Sequence, residues 1–117
     1  MRYKNLEVWQ SSVALSVDIY RHFSDCKDYG FKDQITRSSL SVPSNIAEGE
    51  ERAGLKEQIQ FLNIAKGSAG ELMTQIIIGE KIGYIDKALS DRWQESLMII
   101  AKQLGALMNA KKKTSQR

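Results

Sequence analysis

Apolar residues recur along most of this chain at three- and four-residue intervals, the spacing that stacks them on one face of an α-helix. A first helix is predicted from about Asn5, as N-cap, to about Cys26, with Leu6, Trp9, Val13, Val17, Tyr20 and Phe23 forming its inner stripe. Asp28, Tyr29 and Gly30 mark a turn, and a second helix spans roughly Phe31 to Glu51. The Ala53-Gly54 pair separates it from a third helix ending near Ile82, where Gly83 stands in the position of a left-handed C-terminal cap. A fourth helix begins near Asp86 and carries Leu89, Trp93, Leu97, Ile100, Leu104, Leu107 and Met108. Helices this long span roughly 30 to 40 Å. Their short connections predict an all-α, antiparallel up-down four-helix bundle.

Two segments interrupt the pattern. Pro43 lies inside the second helix, where it removes an amide and crowds the Ser39 carbonyl. Either the helix kinks there, or it ends near Ser41 and a new one starts with Pro43 in its first turn. The apolar face of Phe31, Ile35, Val42 and Ile46 continues across the proline, which favours a kink. In the third helix, Lys66 to Glu71 contains two glycines and a capping-box pair, Ser68 and Glu71. The face of Leu55, Ile59, Leu62 and Ala65 stays in phase through Ala69, Leu72, Met73 and Ile76, so a continuous helix is expected. Two interior glycines cost about 1 kcal/mol each relative to alanine, which close approach of another helix could offset.

A bundle needs one apolar stripe per helix, yet two helices carry more. Val8, Leu15 and Ile19 lie off the Trp9 stripe, and Ile64, Ile78 and Ile82 oppose the Leu55 face. Read as surface patches, these six are candidates for a homo-oligomer interface.

Around Pro43 the polar residues are aligned as well. At about 100° per residue, Arg37, Ser41, Ser44, Asn45, Glu48 and Arg52 share one face, different from the apolar one. Three blocks of the chain, YKNLEVWQ at 3–10, YGFKDQITRSSLSVPSNIAEG at 29–49 and FLNIAKGSAGEL at 61–72, resemble the four-helix-bundle family encoded within intervening sequences of bacterial 23S rRNA genes, described as ribosomal-protein-like. That resemblance implies an up-down bundle with a proline inside its second helix. It extends to accessory proteins of diversity-generating retroelements, which implies a homopentamer working with a reverse transcriptase and nucleic acid. Arg37, Ser44, Asn45, Glu48, Gly49 and Arg52 match the family pattern. Ser24 to Asp28 depart from the proline and acidic residue usual there, and Ser38 and Ser39 replace small alanines.

Composition adds little to the fold: 117 residues, 42% hydrophobic and 26% charged, fit one soluble domain. Charge says more when divided along the chain. Seventeen basic and 14 acidic residues give +3, but Lys111, Lys112, Lys113 and Arg117 supply four of the basic ones, leaving residues 1–110 at −1. The boundary is therefore drawn at 110, between a bundle domain and a basic tail over 111–117. The nucleic-acid candidates are Arg37, Lys111, Lys112, Lys113 and Arg117. One such tail binds phosphate weakly, whereas several gathered on an oligomer gain avidity.

Candidate chemistry is sparse. His22 is the sole histidine and has no second ligand at metal-binding spacing. Cys26 has no internal disulfide partner and reads as a helix-end residue. The glycines near Gly67 lack the following Lys-Ser or Lys-Thr of a phosphate loop. Trp9 and Trp93 fall on core stripes. No catalytic, cofactor or metal site is expected, no apolar run approaches the ~20 residues of a membrane span, and the lack of a leader suggests the cytoplasm. The expected function is a non-enzymatic, homo-oligomeric, RNA-associated accessory protein. The alternative is a protein-interaction scaffold that does not touch nucleic acid.

Overall fold

The structure, a computed structural model, describes residues 1–116. A short 3-10 helix, Arg2–Asn5, leads into four α-helices: α1, Glu7–His22; α2, Tyr29–Glu50; α3, Leu55–Lys81; and α4, Lys87–Ser115. They pack as the sides of a square, α1 on α2, α2 on α3, α3 on α4, with α4 closing more loosely on α1. The result is a rod of 50 × 21 × 20 Å. The 3-10 helix, the end of α4 and the α2–α3 connection lie at one end of the rod, and the other two connections lie at the far end.

Local chemistry sets the boundaries. Asp28 caps α2 by accepting the Phe31 amide at 3.2 Å, and Asp86 caps α4 by accepting that of Leu89 at 2.8 Å. After α3, Gly83 adopts φ +83°. The Gly83 amide donates to the Glu80 carbonyl and the Tyr84 amide to that of Gly79, closing a Schellman motif where the sequence predicts a left-handed cap. At its start α1 differs from expectation: Asn5 ends the 3-10 turn, and Leu6 occupies the N-cap without a side-chain bond.

The core follows heptad spacing. On α3 it is Leu62, Ala65, Ala69, Leu72, Ile76 and Gly79; on α4 it is Ser90, Trp93, Leu97, Ile100, Leu104 and Met108. Steps of three and four keep such a seam facing its neighbour along the rod. Helix α3 is continuous through Gly67 and Gly70, as the unbroken phase of its apolar face predicts.

Helix α2 runs unbroken through Pro43, with the proline buried inside it, which excludes the reading that ends one helix near Ser41 and starts another. One expectation is corrected. On α1 the stripes are exchanged in part. Val8, Leu15 and Ile19, expected outside, are buried; Phe23 is buried and Leu6 and Trp9 pack against the core as expected, whereas Val17 and Tyr20 are exposed. The facing helix explains the choice. Ser38, Ser39 and Val42 on α2 are small and allow close approach, and Ser16 of α1 shares a 2.9 Å hydrogen bond with Ser39. The Ser39 proton goes to the Thr36 carbonyl at 2.8 Å, so Ser16 donates. A face of small side chains and paired hydroxyls packs here in preference to the bulkier Val17 and Tyr20. Helix α4 continues to Ser115, past the compositional boundary drawn at 110.

Candidate functional site

The polar residues of α2 converge on α3 from Ser41 onward. Ser41 and Ser68 share a 2.7 Å hydrogen bond, and the Asn45 amide donates to both the carbonyl and the hydroxyl of Ser41, at 2.8 and 2.9 Å. One turn on, Gly49 is buried. A Cβ there would lie 3.0 Å from Phe61 Cβ and 3.1 Å from the Gln58 carbonyl, so glycine is what lets the two helices approach. Arg52 then closes the corner. It pairs with Glu48 at 2.8 Å and more distantly with Glu57 at 3.9 Å, and its guanidinium lies 4.7 Å from the centroid of the Phe61 ring. Gln58 donates back to the Arg52 carbonyl at 2.7 Å.

This corner also receives the end of α4. Lys111 Nζ donates to Gln58 Oε1 at 2.9 Å and lies 3.1 Å from Glu50 Oε1. Both charged side chains are largely buried, at 13% and 16% exposure. The Glu50 oxygen receives the lysine's charge without an aligned hydrogen bond, so the pair is held by Coulomb attraction in a partly desolvated site.

The predicted site residues therefore divide. Asn45, Gly49 and Arg52, with Glu48, form one seam. Ser44 is exposed on the outside of α2. Arg37 is far from the seam, 77% exposed, and pairs with Asp33 one turn earlier at 3.0 Å. Among the nucleic-acid candidates, Lys111 is absorbed into packing, Lys112 and Lys113 are exposed on the last turns of α4, and Arg117 lies outside the described residues. Of the interface candidates, Val8, Leu15 and Ile19 are core residues and form no surface patch. Ile64, Ile78 and Ile82 are 51%, 44% and 50% exposed on the outer side of α3.

Two surface features escaped the sequence reading. Between α1 and α2, Val13, Val17, Tyr20, Leu40 and Pro43 line an apolar groove of about 380 Å³ with Arg21 at its edge. Between α1 and α4 lies a cleft of about 500 Å³, lined by charged Glu7, Asp18 and Arg92 over Leu15, Trp93 and Ile99. The second stripe on α1 was the available signal for the groove, with its buried and exposed members exchanged.

At the far end, His22 Nε2 meets the Tyr84 carbonyl at 2.8 Å, and Tyr84 donates its hydroxyl to Asp28 at 2.8 Å. That hydroxyl, with the Phe31 amide, holds the Asp28 carboxyl below its ordinary range, and the carboxylate raises the Tyr84 phenol in return. These contacts tie the two connections at this end together around Phe23, Phe31 and Trp93. Among the described residues, no group of three or more His, Cys, Asp or Glu is placed to hold a metal ion, and no helix is long and apolar enough to cross a membrane.

A family described as 23S rRNA-intervening sequence protein matches residues 4–106. The crystal structure of a protein of unknown function from the S23 ribosomal protein family of Bacteroides thetaiotaomicron superposes with a TM-score of 0.81 at 26% identity, over 86% of this chain and 97% of that one. No curated protein matches.

Proposed function

Because the chain belongs to the family of 23S rRNA-intervening sequence proteins, we propose that it is a non-enzymatic bundle that assembles with copies of itself and associates with RNA. The observation that carries the assembly is on the outer side of α3. Gly67 and Gly70 sit inside a long helix, and a Cβ at either would meet nothing within 4 Å. Packing within the chain gives no reason for them, although each costs about 1 kcal/mol of helix stability. Ile64 and Ile78 flank them, exposed. A smooth strip edged by isoleucines fits the close approach of a helix from another copy.

The pentamer follows from the likeness to retroelement accessory proteins, as does a reverse transcriptase as working partner. A cytoplasmic location fits both. RNA association rests on the family's link to rRNA genes and on the exposed lysines at the end of α4. A scaffold that touches no nucleic acid is the second reading, favoured by the inward packing of Asn45, Gly49 and Arg52. Light scattering at micromolar concentration tests the assembly, and a monomeric mass sinks it. Titration with RNA across a range of salt tests the association. No binding at low salt, in an intact oligomer, leaves the scaffold.

A further inference from the structure

The polar contacts between helices fix which residues lie at the same height along the rod. Ser16 faces Ser39 and Asp18 faces Trp93, so α1 and α2 pair at residue numbers summing to about 55 and α1 and α4 at numbers summing to about 111. On that register, residues 2–4 stand level with Glu50 and with the turn of α4 just before Lys111. The antiparallel topology thus brings the 3-10 helix and the last turns of α4 to one end of the bundle, beside the start of α3.

Charge is distributed unevenly between this end and the rest. Over 8–47, 58–103 the nine basic residues are matched by nine acidic ones. Residues 1–7, 48–57 and 104–116 hold seven basic and five acidic residues. Three of those acids are engaged: Glu48 and Glu57 by Arg52, and Glu50 by Lys111. Arg2, Lys4, Lys56, Lys112 and Lys113 are exposed and make no ion pair among the described residues. Glu7 and Glu51 are the two acids at this end left without a cation. Arg37, by contrast, is paired with Asp33 and lies about three turns of α2 before Glu48.

We infer that this end of the bundle is a docking surface for the phosphate backbone of nucleic acid, contacted by Arg2, Lys4, Lys56, Lys112 and Lys113. The inference rests on the RNA association proposed above and gives it a place. Its physical basis is local: five unpaired cations on the ~20 Å cross-section of the rod present a field that cancellation removes elsewhere. Lys111 has the opposite role. By neutralising Glu50 inside the packing, it takes a carboxylate out of the field and fixes the turn that carries Lys112 and Lys113. Contacts of this kind carry no base readout, so binding is insensitive to sequence and steeply dependent on salt.

The test is fluorescence anisotropy with a labelled 20-base-pair RNA hairpin between 50 and 200 mM KCl, on the full chain. A triple variant, Lys4→Glu, Lys112→Glu and Lys113→Glu, is compared with Arg21→Glu, Lys27→Glu and Lys102→Glu. The second set makes the same change of net charge at exposed basic residues that make no ion pair among the described residues and lie away from this end and from the outer strip of α3. The end variant is expected to lose more than tenfold in affinity at 100 mM and about two to three units of salt slope. The control should stay within about threefold. Should the end variant fold poorly by circular dichroism, Lys112→Gln with Lys113→Gln serves in its place. Equal losses from both triples, or an end variant that binds as tightly as the parent, overturn the placement while leaving RNA association standing. A parent that does not bind RNA overturns both.

Discussion

Gly49 and Gly67 both sit inside long helices, but their surroundings assign them opposite consequences. An alanine at 49 would gain about 1 kcal/mol of helix propensity and push against the Gln58 carbonyl, backbone that cannot swing aside. Gly49→Ala is expected to destabilise by about 1–2 kcal/mol net in urea denaturation. Alanine at 67 meets open space within the chain, so Gly67→Ala should raise the stability of the isolated protomer by about 1 kcal/mol. If the proposed assembly uses this strip, the same change lowers the mass seen by light scattering. The Asp28–Tyr84 bond makes a pH prediction. The folded Asp28 carboxyl is depressed, so its contribution is present above the ordinary carboxylate range and is lost as pH falls. The Tyr84 phenol is raised, so its contribution is present below about pH 10 and is lost as pH rises further. Tyr84→Phe should lower the urea midpoint at neutral pH and flatten its fall between about pH 5 and pH 2.

At the scale of elements, the ends of α2 and α4 carry the testable claims. Lys111 pins α4 to the α2–α3 corner, and Lys111→Met would leave the largely buried Glu50 unpaired. A loss of about 1–2 kcal/mol is expected, less than for a fully buried pair, and Glu50→Gln should recover part of it. Truncation after Ala110 removes the same anchor, so its effect on stability must be measured before any effect on binding is read. Pro43 offers a complementary case. Restoring an amide with Pro43→Ala gains up to about 3 kcal/mol of helix propensity and loses a buried ring, for a net stabilisation of about 1–2 kcal/mol in thermal or urea melts. The helices themselves were legible: Asp28, Asp86 and Gly83 punctuate the chain through local chemistry that needs no neighbour. The extent of α4 was not, because three consecutive lysines read as a solvated tail until Glu50 and Gln58 are brought beside the first of them.

For the whole molecule, periodicity was sufficient to determine an antiparallel four-helix bundle. A 3.6-residue repeat puts each apolar stripe on one face, and short connections leave little choice of topology. The polar block around Pro43 was sufficient to identify the family, which residues 4–106 match. Tertiary structure decided which of the two stripes on α1 is core, because burial depends on the shape of the facing helix: Ser38, Ser39 and Val42 leave room for Val8, Leu15 and Ile19 brought close, with Ser16 to pair. It also separated the lysines by role, neutralising Lys111 and leaving Lys112 and Lys113 in solvent. Periodicity along a chain specifies which side chains share a face. What that face meets, and which charges remain unpaired once it has met it, is a property of helices far apart in sequence.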